Sequence, residues 1–178
     1  MREMVIYGVS FDMVGKQPIV LLKTADANRF LPIWIGHAEA AAILVKLQNA
    51  SPPRPMTHDL LNDVLGNLDA EVISVTVTEL RENTFYAQIT LRQNGSEIEI
   101  DSRPSDAIAL AVRTGAKIFA ADEVIEESGV EFDGEGTDEE IAAAASGAAP
   151  LSDLDPAEFR RFLDEVTPDE FAVDPETD

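Results

Sequence analysis

The sequence predicts an α+β domain, a mostly antiparallel sheet with helices packed on it, followed by an acidic tail. Strand-length stretches of alternating apolar residues are joined by short turn signals such as Gln93-Asn94-Gly95. Between them lie helix-length segments whose apolar residues recur at three- and four-residue spacing. After Gly129 the composition shifts to Gly, Asp, Glu and Ala, which reads as a linker rather than a core.

The elements follow in order. Residues 4–12 read as a strand, and Ile19-Val20-Leu21-Leu22 is an apolar run short enough to be a buried strand. Asp26-Ala27-Asn28 turns the chain, and Arg29 to Ile35 completes a hairpin. Gly36 breaks the strand, and a helix over 37–49 places Ala40, Ile43, Leu44 and Leu47 on one face. Ser51-Pro52-Pro53-Arg54-Pro55 is a stiff connector, because proline removes donors and restricts its neighbours. Thr57 then reads as an N-cap, with Met56 and Leu61 placed for a hydrophobic staple. That helix is expected to turn Leu60, Leu61, Val64, Leu65 and Leu68 inward, with His58, Asp59, Asn62 and Asp63 on its polar side.

Three antiparallel strands come next. One carries Ile73, Val75 and Val77 on a shared face, one Phe85, Ala87, Ile89 and Leu91, and one Ile98 and Ile100. Arg81-Glu82-Asn83 and Gln93-Asn94-Gly95 are the turns between them. A helix opens at Pro104 and ends at Thr114-Gly115, where glycine suits a left-handed cap. Lys117 to Ala120 is a last strand, and a short acidic helix runs to Ser128. The domain is expected over 1–130, the linker over 131–154, and an acidic tail over 155–178. The tail carries one amphipathic helix with Phe159, Phe162, Leu163 and Val166 on its apolar face.

The formal net charge of −21 is unevenly spread. Residues 1–122 hold 11 basic and 15 acidic side chains, whereas 123–178 hold 2 and 19. Such a tail repels polyanions at a range that salt shortens. Cysteine is absent, which excludes disulfides and thiolate metal sites. No apolar stretch reaches the ~18 to 20 residues of a membrane span, and the chain opens on strand-like sequence without a signal-peptide layout, so a cytoplasmic protein is expected. There is no phosphate-cradling loop, nucleophile elbow, HExxH pair or basic stripe.

A few clusters carry chemistry. Arg103-Pro104-Ser105-Asp106 opens a helix, whose free N–H groups and positive dipole end can hold a phosphate. Arg103 can add a bidentate contact and Asp106 can hold a metal or position a water; equally, the pair can simply cap the helix. His58 and Asp59, following Arg54, can act as general base and metal ligand, or form a solvated helix start. Glu39 can pair with an arginine, bind a metal, or favour the helix dipole. Glu97, Glu99 and Asp101 alternate along one strand and read most simply as a solvated face. Trp34 serves either as core or interface, or as a base-stacking platform.

Four segments in order resemble one family. They are Phe30-Leu31-Pro32-Ile33-Trp34-Ile35-Gly36 with Glu39-Ala40; Pro53-Arg54-Pro55-Met56-Thr57-His58-Asp59-Leu60; Thr84-Phe85-Tyr86-Ala87; and Arg103-Pro104-Ser105-Asp106-Ala107-Ile108-Ala109-Leu110-Ala111. Over residues 3–130 the chain is similar to the bifunctional nucleases. The resemblance implies an α+β fold, often dimeric, that degrades both RNA and DNA. The expected function is therefore a nuclease of low sequence preference, assisted by Mg²⁺ or Mn²⁺. By motif position, Glu39, His58, Asp59 and Asp106 would be catalytic, with Asp59 and Asp106 as metal ligands. Arg54, Arg103 and Ser105 would bind substrate. The alternative is a non-enzymatic module that recognises a small anion or a protein partner, with the tail helix docking in a groove.

Overall fold

The computed structural model describes residues 1–10, 17–50 and 52–131, with the backbone alone of 11–12 and 149–150. Its strands are β1 (Arg2–Asp12), β2 (Gln17–Thr24), β3 (Arg29–Trp34), β4 (Ala70–Arg81), β5 (Thr84–Gln93), β6 (Ser96–Ser102), β7 (Lys117–Ala120), β8 (Val130–Glu131) and β9 (Ala149–Pro150). Its helices are α1 (His37–Leu47), α2 (Thr57–Asn67), α3 (Pro104–Thr114) and α4 (Asp122–Ser128). The expected α+β class holds. The strands form one sheet in the order β6-β5-β4-β7-β1-β2-β3-β8, with β9 pairing on β1. Every pairing is antiparallel except β4 with β7. Apart from Glu131 and Ala149–Pro150, the expected linker and tail helix lie outside the described residues. No helix among the described residues is long and apolar enough to cross a membrane.

Local sequence explains the turns. Glu82 and Asn83 both take positive φ, as do Asn94 and Gly95, which matches the strand twist across two-residue hairpin loops. In β2 both faces are buried, hence its uninterrupted apolar run. Val20 and Leu22 join the main core, while Ile19 and Leu21 pack with Tyr7 on the other side. Gly115 closes α3 at φ 74°, a conformation that a side chain would strain.

α1, α2 and α3 pack side by side. α3 lies over β4, β5 and β7, and Ala107, Ile108, Ala109, Leu110 and Ala111 are all buried. The long apolar side chains of this layer meet Val75, Val77, Ala87, Ile89 and Leu91 of the sheet.

Several expectations are corrected here. In β4 it is Val72, not Ile73, that is buried with Val75 and Val77, because register shifts at Val72/Ser74 and Val77/Glu79 break strict alternation. Ile98 and Ile100 face the same side as their partners Leu91 and Ile89, yet they are exposed, since β6 is an edge strand that no helix covers. Leu47 is likewise exposed at the end of α1.

The largest correction concerns α2. None of its residues is buried, and Leu60, Leu61, Val64 and Leu68 are exposed, with Leu65 alone of the five packing on the core. His58 and Asp59 point inward, and their side chains bond to α3. The amphipathic pattern is real, but the polar edge of the helix meets the domain. Thr57 is not the N-cap either. Met56 takes that position, and its N–H donates to Asp59 Oδ2 at 2.8 Å. The Asp59 carboxylate thus makes the reciprocal half of a capping box, reaching back to the N-cap N–H rather than accepting from the first turn as a Thr57 hydroxyl would.

Candidate active site

The strand-to-helix junctions at Gly36 and Arg103 meet the first turn of α2. Arg103 is the N-cap of α3, with extended backbone (φ −70°, ψ 145°). From there its Nε donates to Asp106 Oδ2 at 2.8 Å, and its terminal Nη1 pairs with Glu39 Oε1 at 2.9 Å. The other oxygen of Asp106, Oδ1, lies 3.1 Å from His58 Nε2. Glu39, Arg103, Asp106 and His58 thus form one continuous polar chain spanning α1, α3 and α2. Exposure varies along it. The Arg103 side chain is 66% exposed and Asp106 32%, whereas Glu39 and His58 are 19% and 12%. The bond to Asp106, followed by Glu39, holds the Arg103 guanidinium above its already high pKa.

The Glu39 carboxylate folds back over the start of α1, and a methyl at residue 36 would overlap its Oε2. The backbone is extended there, φ −76°, so a side chain at residue 36 would meet no backbone strain and would displace only the flexible Glu39 carboxylate.

Asp59 stands apart from this chain. Its Oδ1 accepts from Arg113 Nε at 2.7 Å and its Oδ2 from the Met56 N–H. Burial opposes ionisation of Asp59, but the Met56 and Arg113 hydrogen bonds outweigh it and hold the carboxyl below its usual value. Arg113 is 3% exposed and also donates to the carbonyls of Ala42 and Ala109 at 3.0 and 2.8 Å. It ties the three main helices together, and reading by motif passes over it. The available signal is spacing: Arg113 lies seven residues after Asp106, two turns along the same helix face.

Arg54 is exposed on the connector before α2, outside the ion-paired group. Ser105 is buried at the second position of α3 and lines a cleft of about 380 Å³. Trp34, Gly36, Asn83, Phe85 and Arg103 line the same cleft, so Arg103 belongs both to the polar chain and to the cleft wall. Glu97, Glu99 and Asp101 are exposed on β6. Glu99 accepts from Gln88 and Glu97 pairs with Arg92, as a solvated strand face would.

The donor chemistry of this site suits a hard divalent cation, since Glu39 and Asp106 offer carboxylate oxygens. As arranged, the Arg103 guanidinium stands between these carboxylates, where a cation would stand. Among the described residues no three His, Asp or Glu side chains gather as a ready-made metal set. Asp59 is the poorer candidate, because both its oxygens are engaged. Chemically, the arrangement places an imidazole oriented by a carboxylate within one side chain of an exposed guanidinium. That combination suits proton transfer beside an anion.

Comparison with known proteins agrees with the motif resemblance. An uncharacterized protein of Mycobacterium tuberculosis is 37% identical over 171 residues, 96% of this chain and 98% of that one. Bifunctional nuclease 1 of Arabidopsis thaliana is 31% identical over 100 residues, 54% of this chain and 31% of that protein. Bifunctional nuclease 1 of Oryza sativa subsp. japonica is 29% identical over 105 residues, 57% of this chain and 32% of that protein. The chain therefore matches nearly the whole of the mycobacterial protein and about a third of each plant one. The bifunctional nuclease domain model matches residues 20–133, which contain the entire Glu39–Arg103–Asp106–His58 chain. The chain belongs to the bifunctional nuclease domain family.

Proposed function

We propose that this protein hydrolyses phosphodiester bonds of RNA and DNA with low sequence preference, acting in the cytoplasm. The observation that carries this reading is the shared position of Arg103, bonded to Asp106 and Glu39 and open to the cleft. A phosphate entering beside it meets a guanidinium, the N-terminus of α3 and a histidine oriented by a carboxylate. Asp106 fixes the His58 ring. His58 takes a proton from the attacking water as the new P–O bond forms, and returns it to the leaving oxygen as the old bond breaks. Arg103 stabilises the charge that develops on the phosphoryl oxygens. Glu39 and Asp106 would hold Mg²⁺ or Mn²⁺ once the guanidinium turns to the phosphate. Such an ion would supply Lewis-acid polarisation and a more acidic water.

Labelled single-stranded RNA and DNA, incubated with the full chain in Mg²⁺, Mn²⁺ or EDTA, test this. Cleavage is expected with metal and is expected to fall about 10²- to 10⁴-fold in His58→Ala and in Asp106→Asn. If both variants cleave like the parent, the assignment is wrong. Binding of an anion without any hydrolysis would instead establish the alternative, a non-enzymatic module.

A homodimer belongs to the same proposal. The exposed Leu60, Leu61, Val64 and Leu68 leave an apolar stripe on α2 larger than scattered surface leucines explain. A second copy packed there would cover it, and sedimentation of Leu61→Glu/Leu68→Glu beside the parent measures this. A parent that sediments as a monomer removes the idea.

A further inference from the structure

We infer that the cleft beside Arg103 is a nucleobase subsite, and that it confines the enzyme to unpaired nucleotides. The inference deepens the nuclease reading and rests on it for the identity of the ligand. The wall of the cleft is apolar and aromatic, with Ile33, Trp34, Ile35, Phe85 and Pro104. Trp34 is 45% exposed, an unusual state for an indole at the end of a strand whose preceding four residues are buried. Trp34 lines the cleft, and an indole is a surface on which any base can stack, tolerant of sequence. Gln17 and Asn83, whose side chains are amides, also line the cleft. An amide carries both donors and an acceptor, so it can meet the edge of any base.

Arg103 fixes the direction of the ligand. It lines the cleft and also bonds to Asp106, which contacts His58. A nucleotide with its base against Trp34 therefore places its phosphate at Arg103, one carboxylate away from the imidazole. Charge decides between single and double strands. Proteins that grip a duplex through its backbone neutralise several phosphates, whereas among the described residues Arg103 is the one cation lining this cleft. The chain as a whole carries −21. Affinity must then come largely from stacking. A paired base offers no face to Trp34 unless it is first pulled from the helix, which costs unstacking energy that an unpaired base does not incur.

Trp34 is the single tryptophan of the chain, so its fluorescence reports this site directly. The experiment titrates the full-length protein, in EDTA and again in Ca²⁺, with short oligothymidylate and with a blunt duplex of matched length. Saturable quenching by the single strand and weak or no quenching by the duplex are expected. Anisotropy of a labelled oligothymidylate then compares variants. Trp34→Ala should weaken binding roughly tenfold or more, while Trp34→Phe stays within a few-fold of the parent. No quenching, equal quenching by duplex, or a well-folded Trp34→Ala with parental affinity would each overturn the subsite. The parent's quenching needs no variant, so a misfolded Trp34→Ala leaves the test intact. The two readings also fail separately. Quenching without hydrolysis would sink the nuclease and keep the subsite, whereas cleavage of duplex and single strand alike, unmoved by Trp34→Ala, would do the reverse.

Discussion

Replacing Arg113 by methionine tests a polar group that joins three helices. Methionine matches much of its length while removing the guanidinium. Three hydrogen bonds go with it: Nε to Asp59 Oδ1 at 2.7 Å, and Nη1 to the carbonyls of Ala42 and Ala109 at 3.0 and 2.8 Å. Removing one partner of a buried ion pair costs about 3–5 kcal/mol, because the other charge is left without compensation. Here Asp59 is 30% exposed and water can reach it in part, which argues for the low end, about 3 kcal/mol. The loss should also be local. α2 has no buried residue and is held chiefly by Asp59–Arg113, His58–Asp106, Leu65 and the preceding Met56. Urea melts give the total cost, and hydrogen exchange of the α2 amides gives its location. The expected result is a lowered midpoint with exchange accelerated in α2 before α3. A cost below about 1 kcal/mol, or α2 protection equal to the parent's, would refute the argument that Arg113 anchors this helix.

Other consequences follow from the same geometry. Gly36→Ala places a methyl against Glu39 Oε2; extended backbone at that residue accepts alanine, so stability should change by less than about 1 kcal/mol while cleavage falls with the displaced Glu39. Parental kcat/KM would show that Glu39 need not sit where it does. Asp59 is held below its unfolded pKa, so its contribution to stability is complete above about pH 4 and is lost as pH falls through the lower folded value. Denaturant melts between about pH 6 and pH 2 should show this acid limb in the parent and a shallower one in Asp59→Asn; identical limbs would remove the assignment. Leu65→Ala should destabilise the domain more than Val64→Ala does, since Leu65 packs on the core and Val64 is exposed. Equal urea midpoints for the two variants would show that Leu65 contributes no more than a surface side chain.

The fold is legible because its signals are local. Asn94-Gly95 fixes a hairpin, Pro104 and Gly115 bracket α3, and the run from Ile19 to Leu22 is too short for a helix of ordinary length and suits a strand buried on both faces. What fails needs knowledge of neighbours. The wheel of α2 shows where its leucines lie, but not which side meets the domain, and that is decided by Arg113 and Asp106 of a helix far along the chain. The same holds for the site. His58, Asp106, Arg103 and Glu39 are singled out by position in motifs, yet nothing local says that one guanidinium joins two of the carboxylates. Asp59 and His58 are adjacent in sequence and look like a catalytic pair, but successive helical residues diverge by about 100°, and each meets a different partner on α3.

The charge of the chain bears on how such a site can work at all. Arg103 is the cation of the cleft, and its two carboxylate partners already neutralise it. An incoming phosphate must compete with Glu39 and Asp106 for the guanidinium, so the ground state gains little from charge. That weak initial attraction suits catalysis, because interactions that strengthen only as charge builds on the phosphoryl oxygens raise the rate, whereas equal binding of substrate and transition state does not. Arg103→Lys separates these roles. Lysine keeps the charge but lacks the planar fork with which a guanidinium can trade its carboxylate partners for a bidentate phosphate contact. If Arg103 acts on the transition state, Arg103→Lys should lower kcat by about tenfold or more with KM little changed. A change confined to KM would show that Arg103 serves binding alone, and would move the source of catalysis to His58 and its carboxylate.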